Sequence, residues 1–180
     1  MDERVLLKIA KDAIYESFGK STINKEELIE KYPYLAKEGA VFVTLNLNGA
    51  LRGCIGSIIA HRSLIDDIIH NAKAAAFEDP RFFPLSESEF EKIELELSIL
   101  TQPQKVEYED IEDLKSKIEI GKDGVILKRG YNQATFLPQV WEELSNFEQF
   151  FAHLCKKAGL NPNCLQLHPE IYKYQVKKIK

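Results

Sequence analysis

Hydrophobic and polar positions along the chain follow two periods, one typical of helices and the other of strands. Apolar residues at 5, 6, 9, 13 and 14 recur at helical spacing, and Gly19 follows as a stop signal. Residues 24–32 have the composition of a second, short helix. A longer helix is predicted from Ser63, a good N-cap, to the residue before Pro80, which forbids its continuation. Further helical segments are predicted over 86–93, 110–118, 139–144 and 146–160.

The remaining patterned segments indicate strands. Residues 41–47 are rich in β-branched and aromatic side chains, and Asn48-Gly49 separates them from the next apolar run, 50–60. An Asn-Gly pair between two such runs is the strongest short-range signal for a β-hairpin. Apolar residues alternate with polar ones over 93–101, which predicts a strand with one buried face. Two strands joined by a turn at 129–133 and a single last strand over 171–179 complete the prediction.

Strands joined by hairpins and interleaved unevenly with helices indicate an α+β fold with a mostly antiparallel sheet and flanking helices. The chain of 180 residues is predicted to form a single domain over 1–180, since no linker, repeat or low-complexity tract divides it. Its composition, 44% hydrophobic and 29% charged, is ordinary for a globular protein with a core of its own.

Net charge and cysteine content narrow the classes of function. A formal net charge of −4 gives no electrostatic case for binding nucleic acid or an anionic membrane. The three cysteines, Cys54, Cys155 and Cys164, form no CxxC or Cys/His pattern with zinc spacing, so we expect neither a metal site nor a cofactor. No apolar run resembles a signal peptide or a membrane span, which favours a cytoplasmic location with Cys54 as a free thiol.

The second strand of the hairpin, "LRGCIG" at 51–56, carries residues that are poor strand formers. A two-residue turn at Asn48-Gly49 predicts the register of the hairpin, which we expect to be central in its sheet. The predicted pairs are Arg52 with Leu45, Cys54 with Val43 and Gly56 with Val41. Because side chains alternate, Arg52, Cys54 and Gly56 would share one face, and a guanidinium near the thiol would favour the reactive thiolate.

Five motifs in order along the chain resemble the AMMECR family, whose prokaryotic members are called AmmeMemoRadiSam system protein A. They are "LRGCIG", "DPRFFP", "IELELSIL", "GKDGVIL" and "ATFLPQVW". The resemblance implies two lobes around a cleft into which the hairpin motif projects. It also implies association with a Memo-like protein and a radical-SAM protein, while it supplies no reaction.

Each candidate site residue has a functional and a structural interpretation. Cys54 is either a nucleophile or ligand-trapping thiol, or a small residue of the core. Arg52 is either a clamp for a carboxylate or phosphate or half of an internal salt bridge, with Asp79 or Glu96 as partner. Gly53 and Gly56 allow close approach of a ligand or of another backbone segment.

Two further candidates come from "DPRF". Asp79 and Arg81 either line the same cleft or pin the loop after the helix. His61, which follows the hairpin, is the one histidine considered as a base for Cys54.

Two hypotheses for the function follow. The first is a cleft around Arg52 and Cys54 that binds a small anionic ligand or modified substrate, with thiol chemistry at Cys54. The second is a non-catalytic adaptor that holds a partner protein or peptide in the same cleft. The absence of a metal pattern, a phosphate loop and a clear acid–base pair favours the second, and the reactive residue types in the motif favour the first.

Overall fold

A computed structural model describes residues 1–180, and these residues form two compact units. The first unit comprises 1–100 together with 177–180, and the second comprises 101–176. Each unit contains one four-stranded antiparallel sheet, and helices accompany both sheets. The predicted α+β fold with antiparallel sheets is therefore confirmed, whereas a single domain over 1–180 stays a prediction.

The first unit is built from four helices and four strands. The helices are α1 (Glu3–Ser17), α2 (Lys25–Lys31), α3 (Leu64–Phe77) and α4 (Glu87–Phe90). The strands are β1 (Ala40–Leu47), β2 (Ala50–Gly56), β3 (Ile93–Leu100) and β8 (Val176–Ile179), in the spatial order β2-β1-β3-β8. Apolar side chains of α1, α3, β1 and β3 form one continuous core, as the periodicity of these segments predicts.

The second unit has a smaller set of elements around its own core. It contains α5 (Ile111–Lys117) and α6 (Phe147–Lys157), with β4 (Gln104–Val106), β5 (Gly124–Arg129), β6 (Asn132–Phe136) and β7 (Glu170–Tyr174) in the spatial order β4-β7-β5-β6. Trp141 stacks on Phe150 within this core at a ring distance of 3.6 Å. Cys155 and Cys164, both fully buried, are joined by a disulfide.

Short 3₁₀ turns complete the chain at Pro33–Ala36, Pro138–Glu142 and Cys164–Leu167. None of the helices has both the length and the apolar character needed to cross a membrane. A cytoplasmic location stays a prediction.

The last strand differs from the prediction. Residues 171–179 were expected to form a single strand, but they form β7 and β8, which belong to different sheets. The chain changes sheet at Gln175, whose N–H donates to Thr101 Oγ1 and whose carbonyl accepts from Thr101 N–H, both at 2.8 Å. These bonds satisfy the backbone between the strands, so one apolar-rich run can serve two sheets.

The register of the β1–β2 hairpin also differs from the prediction. Asn48 and Gly49 both have positive φ, as a tight hairpin turn requires, and Leu47 pairs with Ala50 as expected. A bulge between Leu45 and Asn46 then shifts every later pair by one residue. The observed pairs are Gly53 with Leu45, Cys54 with Thr44, Ile55 with Val43 and Gly56 with Phe42.

A buried polar network holds the start of β1 and the end of β2 to α3. The fully buried carboxylate of Asp67 accepts from Val41 N–H at 2.8 Å and from Ser57 Oγ at 2.6 Å. Asn71, one turn later on α3, donates to Val41 O at 3.0 Å. Because Arg62 lies 3.3 Å from the same carboxylate, the buried charge of Asp67 is paired. This network fixes the strand ends next to the hairpin motif.

Candidate functional site

The motif strand β2 lies at an edge of its sheet, not at its centre as predicted, because only β1 pairs with it. Its two glycines lie against the protein itself. A Cβ atom on Gly53 would come within 2.1 Å of Ala75 O on α3, and one on Gly56 would come within 2.2 Å of Phe42 Cγ. The close approach at Gly53 is therefore that of another backbone segment, which was one of its two interpretations.

Cys54 is the one free cysteine, and its side chain is half-buried. Its Sγ lies 3.3 Å from Thr44 Oγ1 on the neighbouring strand, where the two residues are directly paired. Both backbone groups of Cys54 bond to side chains from the segment after α3. Its N–H donates to Asp79 Oδ2 at 2.9 Å, and its carbonyl accepts from Arg81 Nη2 at 3.3 Å. The "DPRF" segment is thus attached to the backbone of the motif strand.

Asp79 and Arg81 form an ion pair with two contacts. Arg81 Nε donates to Asp79 Oδ1 at 2.9 Å, and Nη2 donates to Oδ2 at 2.7 Å. The Asp79 side chain is almost completely buried, whereas that of Arg81 is 53% exposed. The Arg81 guanidinium, together with the N–H groups of Cys54 and Arg81, holds the pKa of Asp79 well below its usual range. Both residues therefore pin the loop, which was the structural interpretation of the pair.

Arg52 forms an internal salt bridge, but its partner is neither Asp79 nor Glu96. Its Nε and Nη2 donate to the two carboxylate oxygens of Glu89, at 2.9 and 3.1 Å, and Nη2 also donates to Phe83 O at 3.0 Å. The expected partners were wrong because Asp79 is held by Arg81 and Glu96 lies near Lys180. Arg52, followed by the N–H of Ser86, lowers the pKa of Glu89 to about 2.

Two phenylalanines follow Arg81. The ring of Phe82 contacts both guanidiniums, with its centroid 5.7 Å from that of Arg52 and 5.5 Å from that of Arg81. The next residue, Phe83, is 88% exposed, although its carbonyl is held by Arg52. We define the Phe83 surface as the exposed parts of Arg81, Phe82 and Phe83 beside β2.

The remaining candidate residue, His61, does not contact the cluster formed by Arg52, Cys54, Asp79, Arg81 and Glu89. The ring of His61 bonds to the carbonyl of Ile59 through Nδ1 and to the side chain of Arg62 through Nε2, with no contact to Cys54. No group of three His, Cys, Asp or Glu side chains is arranged to hold a metal ion.

Sequence analysis missed two residues of the cluster. Glu89 has a recognisable local signal, since Ser86-x-x-Glu89 is a capping box and both of its bonds form at the start of α4. That signal predicts a helix start and gives no indication that the same carboxylate binds Arg52. Phe83 has no signal beyond its place next to a proline, because its exposure depends on the course of the loop.

Comparison with known proteins relates the chain to a family. The family model described as AMMECR1 matches residues 7–179. The chain belongs to the AMMECR1 family. The resemblance inferred from the five motifs is thereby confirmed over nearly the whole chain.

Several relatives are similar to this chain along most of their length. A protein of Methanosarcina barkeri is 41% identical over 171 residues, covering 91% of this chain and 82% of the relative. A protein of Methanothermobacter thermautotrophicus is 40% identical over 176 residues, covering 96% and 90%. The crystal structure of an uncharacterized protein from Pyrococcus horikoshii, PH0010, is similar with a TM-score of 0.78 and 35% identity, covering 97% of this chain and 88% of that one. The fold is therefore that of an AMMECR1 relative.

Proposed function

We propose that this AMMECR1 protein is a non-catalytic adaptor that binds a partner protein or peptide through the Phe83 surface. The observation that carries the proposal is the exposed ring of Phe83 on a segment whose backbone is held by Arg52. An exposed phenylalanine on a backbone that is held in place has only two side-chain torsions to order on binding, so it loses little conformational freedom. Such side chains are frequent among the residues that dominate binding energy at protein interfaces.

The charges around the LRGCIG motif favour an adaptor over a protein that binds a small anion at its arginines. The cluster contains two guanidiniums and two carboxylates, which cancel: Arg52 with Glu89 and Arg81 with Asp79. A small anion would have to compete with these carboxylates for both guanidiniums. Arg52 is also only 13% exposed, so little of its charge is available to a ligand.

The proposed partners are a Memo-like protein and a radical-SAM protein, which the family resemblance suggests. The test measures binding of each purified candidate to the protein and to Phe83→Ala by isothermal titration calorimetry. We expect Phe83→Ala to weaken binding to a true partner at least tenfold, since removing a central aromatic residue of an interface costs about 2 kcal/mol.

Tyr131→Ala is the matched control. Tyr131 is a fully exposed aromatic residue in the turn between β5 and β6, in the second unit. Its removal should leave the affinity unchanged. The proposal would be wrong if both variants lowered affinity equally, or if neither candidate bound the wild-type protein.

The second candidate function is binding of a small anionic ligand or modified substrate at Arg52, Gly53, Gly56, Asp79 and Arg81, with thiol chemistry at Cys54. It is favoured by one observation, the half-buried free Cys54, whose thiol lies beside the Thr44 hydroxyl. The test is the rate of alkylation of Cys54 by iodoacetamide between neutral and mildly alkaline pH, with Cys54→Ser to correct for other sites. A rate no faster than that of an unstructured cysteine peptide would exclude an activated thiol.

A further inference from the structure

The outer edge of β2 has backbone N–H and carbonyl groups that are not paired with another strand. In an antiparallel ladder, alternate residues of an edge strand bond to the neighbouring strand, and those between them point outward. Ser57 N–H donates to Val41 O on the inner side of the strand. Because the bonding residues alternate, the backbone N–H and carbonyl groups of Gly53 and Ile55 also point toward β1. Cys54 and Gly56 therefore direct their N–H and carbonyl groups away from the sheet.

Asp79 and Arg81 bond to the outward groups of Cys54 as a neighbouring strand would. The Asp79 carboxylate takes the place of a strand carbonyl and accepts from Cys54 N–H at 2.9 Å. The Arg81 guanidinium takes the place of a strand N–H and donates to Cys54 O at 3.3 Å. The ion pair between Asp79 and Arg81 holds the two groups at the spacing that this requires.

The rest of β2 offers little protection of its own. Arg52 is its only charged residue, and the bulge next to Arg52 disturbs the ladder toward the turn. The opposite edge strand of the same sheet, β8, carries Lys177 and Lys178, and charged side chains of this kind discourage pairing between strands. Without its cover, β2 would present two successive outward residues, Cys54 and Gly56, in a strand of low charge.

We propose that Asp79 and Arg81 form an edge guard, which prevents β2 from pairing with β2 of a second copy of the chain. The guard shares Arg81 with the Phe83 surface, but its bonds to Cys54 form without a bound partner. Two consequences follow. The Cys54 amide is protected from exchange by Asp79, not by a strand, and loss of the Asp79 carboxylate exposes β2 to self-association.

The first test is residue-resolved amide hydrogen exchange on the wild-type protein and Asp79→Ala. We expect the Cys54 amide to exchange at least about tenfold faster in the variant, the effect of losing a hydrogen bond to a charged acceptor. The amides of Gly53 and Ile55, which face β1, should keep their rates. Unchanged exchange at Cys54 would overturn the proposal.

The second test is the mass of the particles across a dilution series, measured by light scattering after gel filtration. Asp79→Ala should associate more strongly with concentration than the wild-type protein does. The matched control is Glu16→Ala, which removes a carboxylate paired with Lys73 in the same unit but on α1. Equal association of Asp79→Ala and Glu16→Ala would overturn the proposal.

A third variant locates the association. Leu51 is a partly exposed residue of β2, and Leu51→Lys would place a second charge on that strand. The double variant Asp79→Ala with Leu51→Lys should return to the wild-type association state, and failure to do so would overturn the proposal, because association would then not involve β2. If circular dichroism shows that Asp79→Ala is unfolded, Arg81→Gln applies the same tests, because it removes the donor to Cys54 O and the ion pair with Asp79 while keeping the Asp79 carboxylate. It should then raise association above that of Glu16→Ala, and no increase would refute the guard.

Discussion

Substitution of Gly53 by alanine tests the packing beneath the motif strand. The added Cβ would lie 2.1 Å from Ala75 O, a backbone atom of α3 that no side-chain rotation can move. To restore ordinary contact this distance must grow from 2.1 Å to at least 3.4 Å, a displacement of about 1.3 Å between β2 and α3. Adding even a methyl group to a tightly packed site costs about 1–3 kcal/mol, and we expect the upper end here because neither the Cβ nor the carbonyl oxygen can move without its backbone.

The matched control is Gly49→Ala in the hairpin turn. Gly49 has a φ of 78°, and nothing lies within 4 Å of its added Cβ, so this variant incurs backbone strain alone. A residue with a side chain costs about 1–2 kcal/mol in this left-handed conformation. Gly53→Ala should therefore lower the free energy of unfolding more than Gly49→Ala.

Urea unfolding followed by far-UV circular dichroism measures both variants. Fluorescence of Trp141, the only tryptophan, is unsuitable because that residue lies in the second unit. A cost for Gly53→Ala no greater than that for Gly49→Ala would refute the reasoning. It would mean that β2 and α3 can separate at Gly53, which would leave room for a ligand there.

Three further predictions concern other contacts. Because the pKa of Glu89 is lowered to about 2 in the folded protein, its stabilising contribution is complete above its ordinary pKa of 4.5 and is lost as pH falls toward 2. Glu89→Gln should therefore flatten the acid limb of a plot of unfolding free energy against pH, and an unchanged limb would contradict this. Reduction of the Cys155–Cys164 disulfide, which spans nine residues, should lower the unfolding free energy by about 2–3 kcal/mol. The unfolding free energy of the double variant with alanine at both positions should not change with dithiothreitol. If it did change, the loss of stability in the wild-type protein could not be assigned to this disulfide. Asp67→Ala should cost about 3–5 kcal/mol in urea unfolding, since it leaves buried partners unpaired, whereas Asp66→Ala at the partly exposed neighbouring position should cost less than about 1 kcal/mol. Similar costs at the two positions would refute the role given to the buried network.

Arg52 and Arg81 are both paired with carboxylates of the protein itself. Their presence near Cys54 in the sequence is therefore not evidence for a catalytic site. Arginine, cysteine and glycine within one strand predict either a site or a structural device, and the sequence pattern is the same for both. In the structure the guanidinium of Arg52 is held by Glu89 and the backbone of Cys54 by Asp79 and Arg81. A search for chemistry in this family should therefore test the Cys54 thiol itself and should not infer activation from its neighbours in sequence.

Local patterns determined most of the secondary structure. The helix from Ser63 was predictable because a cap, an apolar stripe and a proline all lie within the segment itself. The hairpin turn was predictable for the same reason, since Asn48 and Gly49 accept the positive φ angles that the turn needs. The α+β class follows from the order of such segments, and the family follows from the motifs.

The bulge and the change of sheet at Gln175 depended on contacts that no local pattern contains. The bulge shifts the register by one residue, and in the shifted register Gly53 is the residue that packs closely against Ala75 O of α3. The 171–179 segment alternates in a way that suits one strand, and only the bonds to Thr101 divide it between two sheets.

The sequence by itself determined the helices, the hairpin, the fold class and the family, because these depend on periodicity, turn chemistry and motifs within short segments. Only the tertiary structure decided which carboxylate binds which arginine. In the sequence, Asp79, Glu89 and Glu96 are equally suitable carboxylate partners for an arginine. Arg52 binds Glu89 because the fold brings that carboxylate within 3 Å of its guanidinium. Electrostatic attraction depends on distance and burial, and these are properties of the folded chain, not of spacing along it.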